Sequence, residues 1–111
     1  MPDEYVIVLT TLPADADAVD FARTLVNERL AACVNVPAEM TSVYWWDGEL
    51  SQDVERQVII KTTRARVGPL WDRIRDLHPY EVPEFVVLPI IDGSDAYLHW
   101  IGESTAEEGP T

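Results

Sequence analysis

Two prolines, Pro79 and Pro83, constrain the fold of this chain more than any other feature of its sequence. Proline has no amide hydrogen and a fixed φ, so neither residue fits inside a helix or a central strand. Residues 78–84 are therefore predicted to form a rigid loop ahead of the apolar run at 85–91. This loop carries an imidazole, a phenol and two carboxylates, groups suited to binding when a firm framework holds them.

Strand and helix signals alternate along the rest of the chain. The apolar run at residues 5–9 predicts a buried strand that ends near Pro13. Asp15 or Asp17 can cap the helix that follows. The apolar positions of this helix recur at helical spacing and are Val19, Ala22, Val26 and Leu30.

The second half of the pattern begins with an extended segment at residues 33–46, interrupted near Pro37. Asp47-Gly48 is a tight-turn signal, so a hairpin is predicted between this segment and the strand that contains residues 58–61. Apolar spacings of three and four predict a second helix, and a short last helix is also expected. These later elements are a helix at 67–77, a strand at 85–91 and a helix at 95–102.

The order β-α-β-β-α-β with an added terminal helix is typical of the ferredoxin-like α+β fold. Two helices would cover one face of an antiparallel sheet, and a partner chain must then cover the other. We expect Tyr44, Trp45 and Trp46 to lie at that subunit interface, where aromatic residues are enriched. Residues 1–105 are expected to form a single domain, and the acidic tail at 106–111 is expected to be flexible.

The charge of the chain limits its partners, because 20 acidic residues oppose 8 basic ones for a net charge of −12. Such a field repels phosphate groups, so we expect no nucleic-acid partner and no membrane partner. It also attracts cations, although acidic surfaces more often serve solubility. The chain shows neither a secretory signal pattern nor a long apolar span, and its one cysteine, Cys33, fits a reducing compartment. We therefore expect a cytoplasmic location.

Five spaced motifs follow one another in the chain. They are RLAACVNV at 29–36, SVYWWDG at 42–48, KTT at 61–63, HPYEVPE at 78–84 and YLHW at 97–100. Together they resemble the CutA divalent-ion tolerance family, and the likeness runs over residues 5–103. The resemblance implies a homotrimer whose sheets enclose a common core. It also implies a role in divalent-cation tolerance or homeostasis and binding in clefts between subunits.

Cys33 and His78 are the candidate metal ligands, because a thiolate and an imidazole together favour copper or zinc. The resemblance places His78 near an inter-subunit cleft, which ranks it above His99. A small buried thiol and a histidine that only interacts with the end of a helix are the alternatives. We expect copper or another divalent metal as the only cofactor, and no organic one.

Lys61, Tyr80 and Glu84 are the candidate ligand-binding residues. Lys61 is the sole lysine beside seven arginines, which suggests that a compact ammonium is needed at this position. The resemblance brings it to the cleft with Tyr80 and Glu84, where charge-assisted hydrogen bonds could hold a small carboxylate or zwitterion. The alternatives are a structural ion pair for Lys61 and interface packing for Tyr80. Glu84 could instead accept hydrogen bonds from loop amides or pair with a positive side chain at the interface.

Enzyme motifs are missing from the sequence. The chain has no Gly-rich phosphate loop, no HExxH, no GxSxG and no CxxC, so we expect no catalytic residue and no enzyme activity. Two other functions stay open at this point. One is a trimeric signalling or scaffold module that senses a small anionic metabolite, and the other is a hydrolase or transferase that uses the same cleft.

Overall fold

A computed structural model describes residues 5–106 of the chain, so most of the predicted tail, 107–111, lies outside the described residues. The predicted element order is confirmed, with the extended segment divided into two strands. A single turn of 3-10 helix at Arg64–Arg66 leads into the second helix. The elements are β1 (Tyr5–Pro13), α1 (Ala18–Asn27), β2 (Cys33–Asn35), β3 (Glu39–Trp46), β4 (Glu49–Thr63), α2 (Val67–Leu77), β5 (Val86–Ile90) and α3 (Asp95–Ser104).

The sheet has the order β2-β4-β1-β5, and all of its pairs are antiparallel. The long strand β4 pairs with β2 near its C-terminal end and with β3 along its N-terminal residues, 49–56. Thus β2 and β3 follow one another along the same edge of β4, separated by the interruption predicted near Pro37. This arrangement confirms the ferredoxin-like α+β fold.

The core lies between the sheet and the helices α1 and α2. Alternate residues of β1 and β4 point toward the helices, because side chains of a strand alternate between its two faces. The helices contribute large aliphatic side chains at helical spacing. The fully buried members of this core include Val6, Val8, Leu25, Val58, Ile60, Leu70 and Ile74.

The buried stripe of α1 differs from the predicted one. Asp17 caps the helix by accepting a hydrogen bond from the amide of Asp20, so the helix begins at Ala18. Val19 and Val26, two of the apolar positions that recur at helical spacing, are both exposed. Two stripes in α1 satisfy the same spacing rule, and the one with the larger side chains packs into the core. The buried residues of α1 are Ala18, Phe21 and Leu25.

The C-terminal helix α3 is held at its last turn by two arginines. Arg29 donates to the carbonyl of Ser104 at 3.4 Å, and Arg66 donates to the carbonyl of Thr105 at 2.8 Å. These bonds satisfy carbonyls that a helix end leaves without intrahelical partners. Within residues 5–106, no helix is both long enough and apolar enough to cross a membrane.

A two-stranded ribbon, which we call the arm, extends from the rest of the molecule, the body. The arm comprises β3 and its partner residues at 49–56, and the chain measures 47 × 26 × 24 Å. Asp47 and Gly48 have φ of 53° and 80°, which is the backbone of a type I′ turn and confirms the predicted hairpin. A ribbon of two strands is at best marginally stable on its own, so packing must support it.

The two faces of the arm differ in chemistry. One face is acidic and aromatic, and it carries Tyr44 and Trp46 opposite Ser51 and Glu49. The other face, which we call the apolar face, carries the large side chains of Val43, Trp45, Leu50 and Val54. Each of these residues is between 51% and 72% exposed.

Candidate functional site

A cavity of about 570 Å³ lies where the arm meets the loop after α2. The arm contributes its acidic and aromatic face, and the loop contributes the segment between its two prolines and the carboxylate that follows. β1 closes the cavity from the side of the sheet. The lining residues are Thr11, Met40, Ser42, Tyr44, Trp46, Glu55, Tyr80, Glu81, Val82, Pro83 and Glu84.

Glu55 is the one carboxylate within residues 5–106 that is buried, with 8% of its surface exposed. Tyr80 donates its phenolic hydrogen to Glu55 Oε2 at 2.7 Å. Burial raises the pKa of Tyr80 far above its usual range, and the hydrogen bond to Glu55 raises this pKa further. Tyr80 therefore stays protonated and remains a donor to the carboxylate.

A second phenol and carboxylate pair lies beside the first. Tyr44 donates a hydrogen bond to Asp53 Oδ2, and that bond is the largest cause of a raised pKa for Tyr44. Tyr44, Asp53 and Glu55 lie on the same face of the arm. Asp53 and Glu55 are alternate residues of β4, and Tyr44 pairs with residue 51, which belongs to the same alternating series. Among residues 5–106, the cavity is thus lined by two phenols that donate hydrogen bonds and by no side chain that carries a positive charge.

His78 connects the loop to the sheet. β5 begins opposite Leu9, so the carbonyl of Thr11 has no partner from β5. The buried His78 ring occupies this position, with Nε2 at 2.5 Å from the Thr11 oxygen, and its Nδ1 accepts a hydrogen bond from the amide of Tyr80 at 3.1 Å. Burial lowers the pKa of His78, whereas the bond to Thr11 and the charge of Glu55 act in the opposite direction. Both ring nitrogens are therefore engaged in a neutral tautomer.

Lys61 and Cys33 lie together at the other end of β4. They face one another in the pairing of β2 with β4, and Cys33 is a half-buried free thiol. Glu55 is six residues from Lys61 along the strand, which corresponds to about 20 Å. The structure therefore brings Tyr80 and Glu84 together at the cavity but leaves Lys61 far from both within one chain.

The two predicted metal ligands are also separated. Cys33 pairs with Lys61, and the partner of His78, Thr11, pairs with Gln57. Gln57 and Lys61 are four positions apart on β4, which corresponds to about 13 Å along the strand. Across the described part of the chain, no group of three or more His, Cys, Asp or Glu side chains could hold a metal ion. The described residues of one chain therefore offer no preformed metal site, and ligation by Cys33 and His78 stays a prediction.

The remaining candidates have simpler surroundings. His99 is exposed on α3, with its Nε2 at 3.2 Å from Glu103 one turn later. Glu81 and Glu84 both line the cavity. Among the predicted interface residues, Trp45 belongs to the apolar face, while Tyr44 and Trp46 line the cavity on the opposite face.

Sequence reasoning missed Glu55 and Asp53 as parts of the site. In the sequence they resemble the other acidic residues of an exposed hairpin, and no local pattern separates them. The available signal was the even alternation of polar residues at 49, 51, 53 and 55, which places them on one face. That signal does not reveal that the loop carrying Tyr80 covers the inner end of this face.

Known proteins share both the sequence and the fold of this chain. The family model of the CutA1 divalent ion tolerance protein matches residues 6–104. The divalent-cation tolerance protein CutA of Thermus thermophilus is 46% identical over 99 residues, which cover 89% of this chain and 96% of that protein. The solved structure of the T. thermophilus protein has a TM-score of 0.88 and 45% identity, and the match covers 92% of this chain and 99% of that one.

A solved structure from Archaeoglobus fulgidus, described as a periplasmic divalent cation tolerance protein CutA, is also similar. It has a TM-score of 0.86 at 30% identity, and the match covers 91% of this chain and 98% of that one. This chain therefore belongs to the CutA1 divalent ion tolerance protein family.

Proposed function

We propose that this chain acts in divalent-cation tolerance as a homotrimer, and that it binds copper or another divalent cation at sites between its subunits. The family supports the role, since its members are named for divalent-cation tolerance. The trimer is the assembly that the motifs at 29–36, 61–63 and 78–84 imply. The family name describes a tolerance role and no reaction, which fits a protein without enzyme activity.

The observation that carries the proposal is the uncovered apolar face of the arm. Its four large side chains are each more than half exposed, although they form one continuous surface on two paired strands. An apolar patch of this kind marks an interaction surface in soluble proteins. Because every copy carries the same surface, a closed assembly of identical chains would cover it symmetrically.

Assembly also offers a route to the predicted sites. Cys33 and Lys61 lie at one end of β4, while His78, Tyr80 and Glu84 lie toward the other. One site can include members of both groups only if different subunits supply them. We therefore propose clefts in which the two ends of neighbouring chains meet, with Lys61, Tyr80 and Glu84 as the ligand cleft. Cys33 and His78 are the proposed metal ligands, and His78 would bind the metal through Nδ1 by giving up the hydrogen bond from the Tyr80 amide.

The assembly is tested by measuring mass in solution. Sedimentation of the full chain at micromolar concentration should give three chains, and Trp45→Ala should shift the equilibrium toward smaller species by roughly 30-fold or more, because a central aromatic truncation costs about 2 kcal/mol. Val19→Ala removes an exposed aliphatic side chain of the body and should leave the mass unchanged. A parent protein that sediments as a folded monomer would refute the assembly.

Metal binding is tested by calorimetry with Cu²⁺ and Zn²⁺. Cys33→Ser and His78→Gln should each weaken binding by about tenfold or more, the loss seen even for residues that only support a metal ligand. His99→Gln is the matched control, because it removes an exposed imidazole. Thermal unfolding of each variant shows whether it is folded. If every variant binds like the parent, the acidic surface holds the metal and the assignment of the site is wrong.

The ligand cleft and the lack of catalysis are tested together. Lys61→Met should abolish binding of a small carboxylate such as acetate or glycine, and it should leave the assembly intact. Ester, phosphate and peptide substrates should give no turnover with the parent. Turnover that disappears in Lys61→Met or Glu84→Gln would support the hydrolase or transferase alternative instead.

The cytoplasm is the compartment we propose. An unpaired thiol at Cys33 suits a reducing environment. The relative from A. fulgidus, in contrast, is described as periplasmic. Fractionation of cells that produce the chain, with antibody detection in each fraction, distinguishes the two locations.

A further inference from the structure

The chain contains the dipeptide Asp-Gly twice, and the structure places the two copies in different surroundings. Asp47-Gly48 forms the turn of the arm, and Asp92-Gly93 lies in the segment that joins β5 to α3. Both copies are exposed. Because glycine has no Cβ, the side chain of the preceding residue can approach its amide nitrogen. The two copies thus share their composition and exposure but differ in backbone geometry.

In the second copy the aspartate side chain lies against the backbone. The Gly93 amide donates a hydrogen bond to Asp92 Oδ1 at 2.8 Å. A carbon–oxygen bond of a carboxyl group is about 1.2 Å long, so Asp92 Cγ is at most about 4 Å from the Gly93 nitrogen. Reacting atoms in a near-attack geometry are about 3–3.5 Å apart. Residues 91–94 belong to no helix or strand, so the small rotation that remains breaks no ladder bond.

The first copy is held by the hairpin. Asp47 and Gly48 have φ of 53° and 80°, and the residues on either side of them, Trp46 and Glu49, pair with one another. A type I′ turn of this kind fixes the backbone of both central residues. Closing a ring between the Asp47 side chain and the Gly48 nitrogen would require rotation that breaks the pairing at the end of the arm.

We propose that Asp92 converts spontaneously to isoaspartate through a succinimide ring formed with the Gly93 nitrogen, whereas its turn protects Asp47. The Gly93 nitrogen bonds to Cγ of the neutral Asp92 carboxyl group, and the carboxyl hydroxyl leaves with the amide hydrogen as one water molecule. Water then adds to one of the two ring carbonyls and breaks its bond to nitrogen. Cleavage at Cγ restores aspartate, and cleavage at the backbone carbonyl gives isoaspartate, in which the main chain runs through Cγ.

The modified position lies beside the start of α3. Ser94 caps this helix by accepting a hydrogen bond from the Tyr97 amide at 3.2 Å, and its carbonyl accepts one from the Leu98 amide at 3.0 Å. Isoaspartate lengthens the main chain by one methylene group two residues before this cap. Displacing a cap leaves the amides of the first helical turn without partners. The isomerised chain should therefore have a less firmly held first turn of α3. The proposal does not rest on the function proposed above, because it needs neither a metal nor a neighbouring subunit.

Incubation of the full chain in water enriched in heavy oxygen tests the proposal, since every opening of the ring leaves one heavy oxygen at the site. Peptide mass spectrometry measures this uptake and the isoaspartate content at residues 92 and 47. In the folded chain residue 92 should react about tenfold or more faster than residue 47, because misalignment of reacting atoms can cost about 100-fold. In urea, which removes the difference in backbone geometry, the two rates should become similar. Equal rates in the folded chain, or no uptake at residue 92, would overturn the proposal.

Gly93→Ala tests the need for an unhindered nitrogen. Its new Cβ would lie 3.5 Å from the Leu98 side chain, an ordinary contact that the fold accommodates. This variant should slow the reaction at residue 92 by about tenfold or more and leave residue 47 unchanged. Gly102→Ala is the matched control, because it adds the same methyl group within α3, and it should react like the parent. A reaction at residue 92 that Gly93→Ala does not slow would refute the role of this nitrogen.

Asp92→Glu provides a second variant in case Gly93→Ala does not fold. It keeps the charge, but its longer side chain would have to close a larger ring, so uptake at residue 92 should disappear. Hydrogen exchange of the incubated parent measures the effect on α3. The amides of Tyr97 and Leu98 should exchange faster in chains that contain isoaspartate than in unmodified chains. Unchanged exchange would show that the start of α3 tolerates the modification, and the proposed loosening would be wrong.

Discussion

The body and the arm share one strand, β4, whose apolar residues are buried in the body and exposed in the arm. In the body, Val58 and Ile60 are completely buried under the helices. In the arm, Leu50 and Val54 alternate in the same manner but remain 65% and 51% exposed. Alternation in a strand therefore specifies two faces and does not specify what covers them.

Truncation of aliphatic residues along β4 should show the largest difference between the two regions. Ile60→Ala should lower the free energy of unfolding by about 2–5 kcal/mol, because it leaves a cavity in a close-packed core. Leu50→Ala should change it by less than about 0.5 kcal/mol in the dissociated chain, as is usual at exposed positions.

Urea unfolding over a range of protein concentrations measures both variants. The effect of Leu50→Ala should grow with concentration as the arm becomes covered, whereas the effect of Ile60→Ala should be present at all concentrations. Equal losses at the lowest concentration would contradict the division into body and arm.

A pair of glycine substitutions should sharpen the comparison with effects of opposite sign. Gly48→Ala in the turn of the arm should destabilise by about 1 kcal/mol, because its φ of 80° is strained for any residue with a Cβ. Gly102→Ala in α3 should stabilise by about 0.5–1 kcal/mol through helix propensity. Its new Cβ would lie 3.6 Å from the Tyr5 hydroxyl, an ordinary contact.

Thermal unfolding of both glycine variants provides the measurement. A stabilised Gly48→Ala variant would mean that the turn relaxes to another type. A destabilised Gly102→Ala variant would mean that Tyr5 cannot accommodate the methyl group.

The smallest expected effect is a pH dependence where the loop joins the sheet. Because the folded-state pKa of His78 lies below 6.5, the unfolded chain binds more protons between the two values. The contribution of His78 to stability is therefore fully present above pH 6.5 and decreases as the pH falls through this interval.

Urea unfolding of the parent, His78→Gln and His99→Gln at pH values on both sides of this interval checks the prediction. The parent and His99→Gln should lose stability on acidification more steeply than His78→Gln. Identical pH dependence in all three proteins would show that carboxylates alone cause the loss.

Most of the fold could be predicted from sequence because its elements carry strong local signals. α2 spans the predicted residues 67–77, and Asp47-Gly48 adopts the expected turn. α1 shows the limit of such signals, since two apolar stripes share its spacing and only packing decides between them. Val19 belongs to the apolar stripe that the spacing indicates, yet it is exposed.

The site was less predictable, because its members come from distant parts of the chain. His78 and Tyr80 were recognisable in a loop rich in polar groups, whereas Glu55 became part of the site only through its contact with Tyr80. Lys61 was grouped with Tyr80 and Glu84 by resemblance, yet within one chain it lies at the far end of β4 from the cavity.

The family, the element order and the hairpin follow from the sequence, because motifs, apolar periodicity and turn residues act over short stretches of chain. The burial of Glu55 under Tyr80, the two bonds of the His78 ring and the distance of Cys33 from His78 depend instead on the folded structure. These features depend on distances between segments far apart in sequence. Such distances follow from the packing of the whole sheet against its helices and loop, which no local pattern encodes.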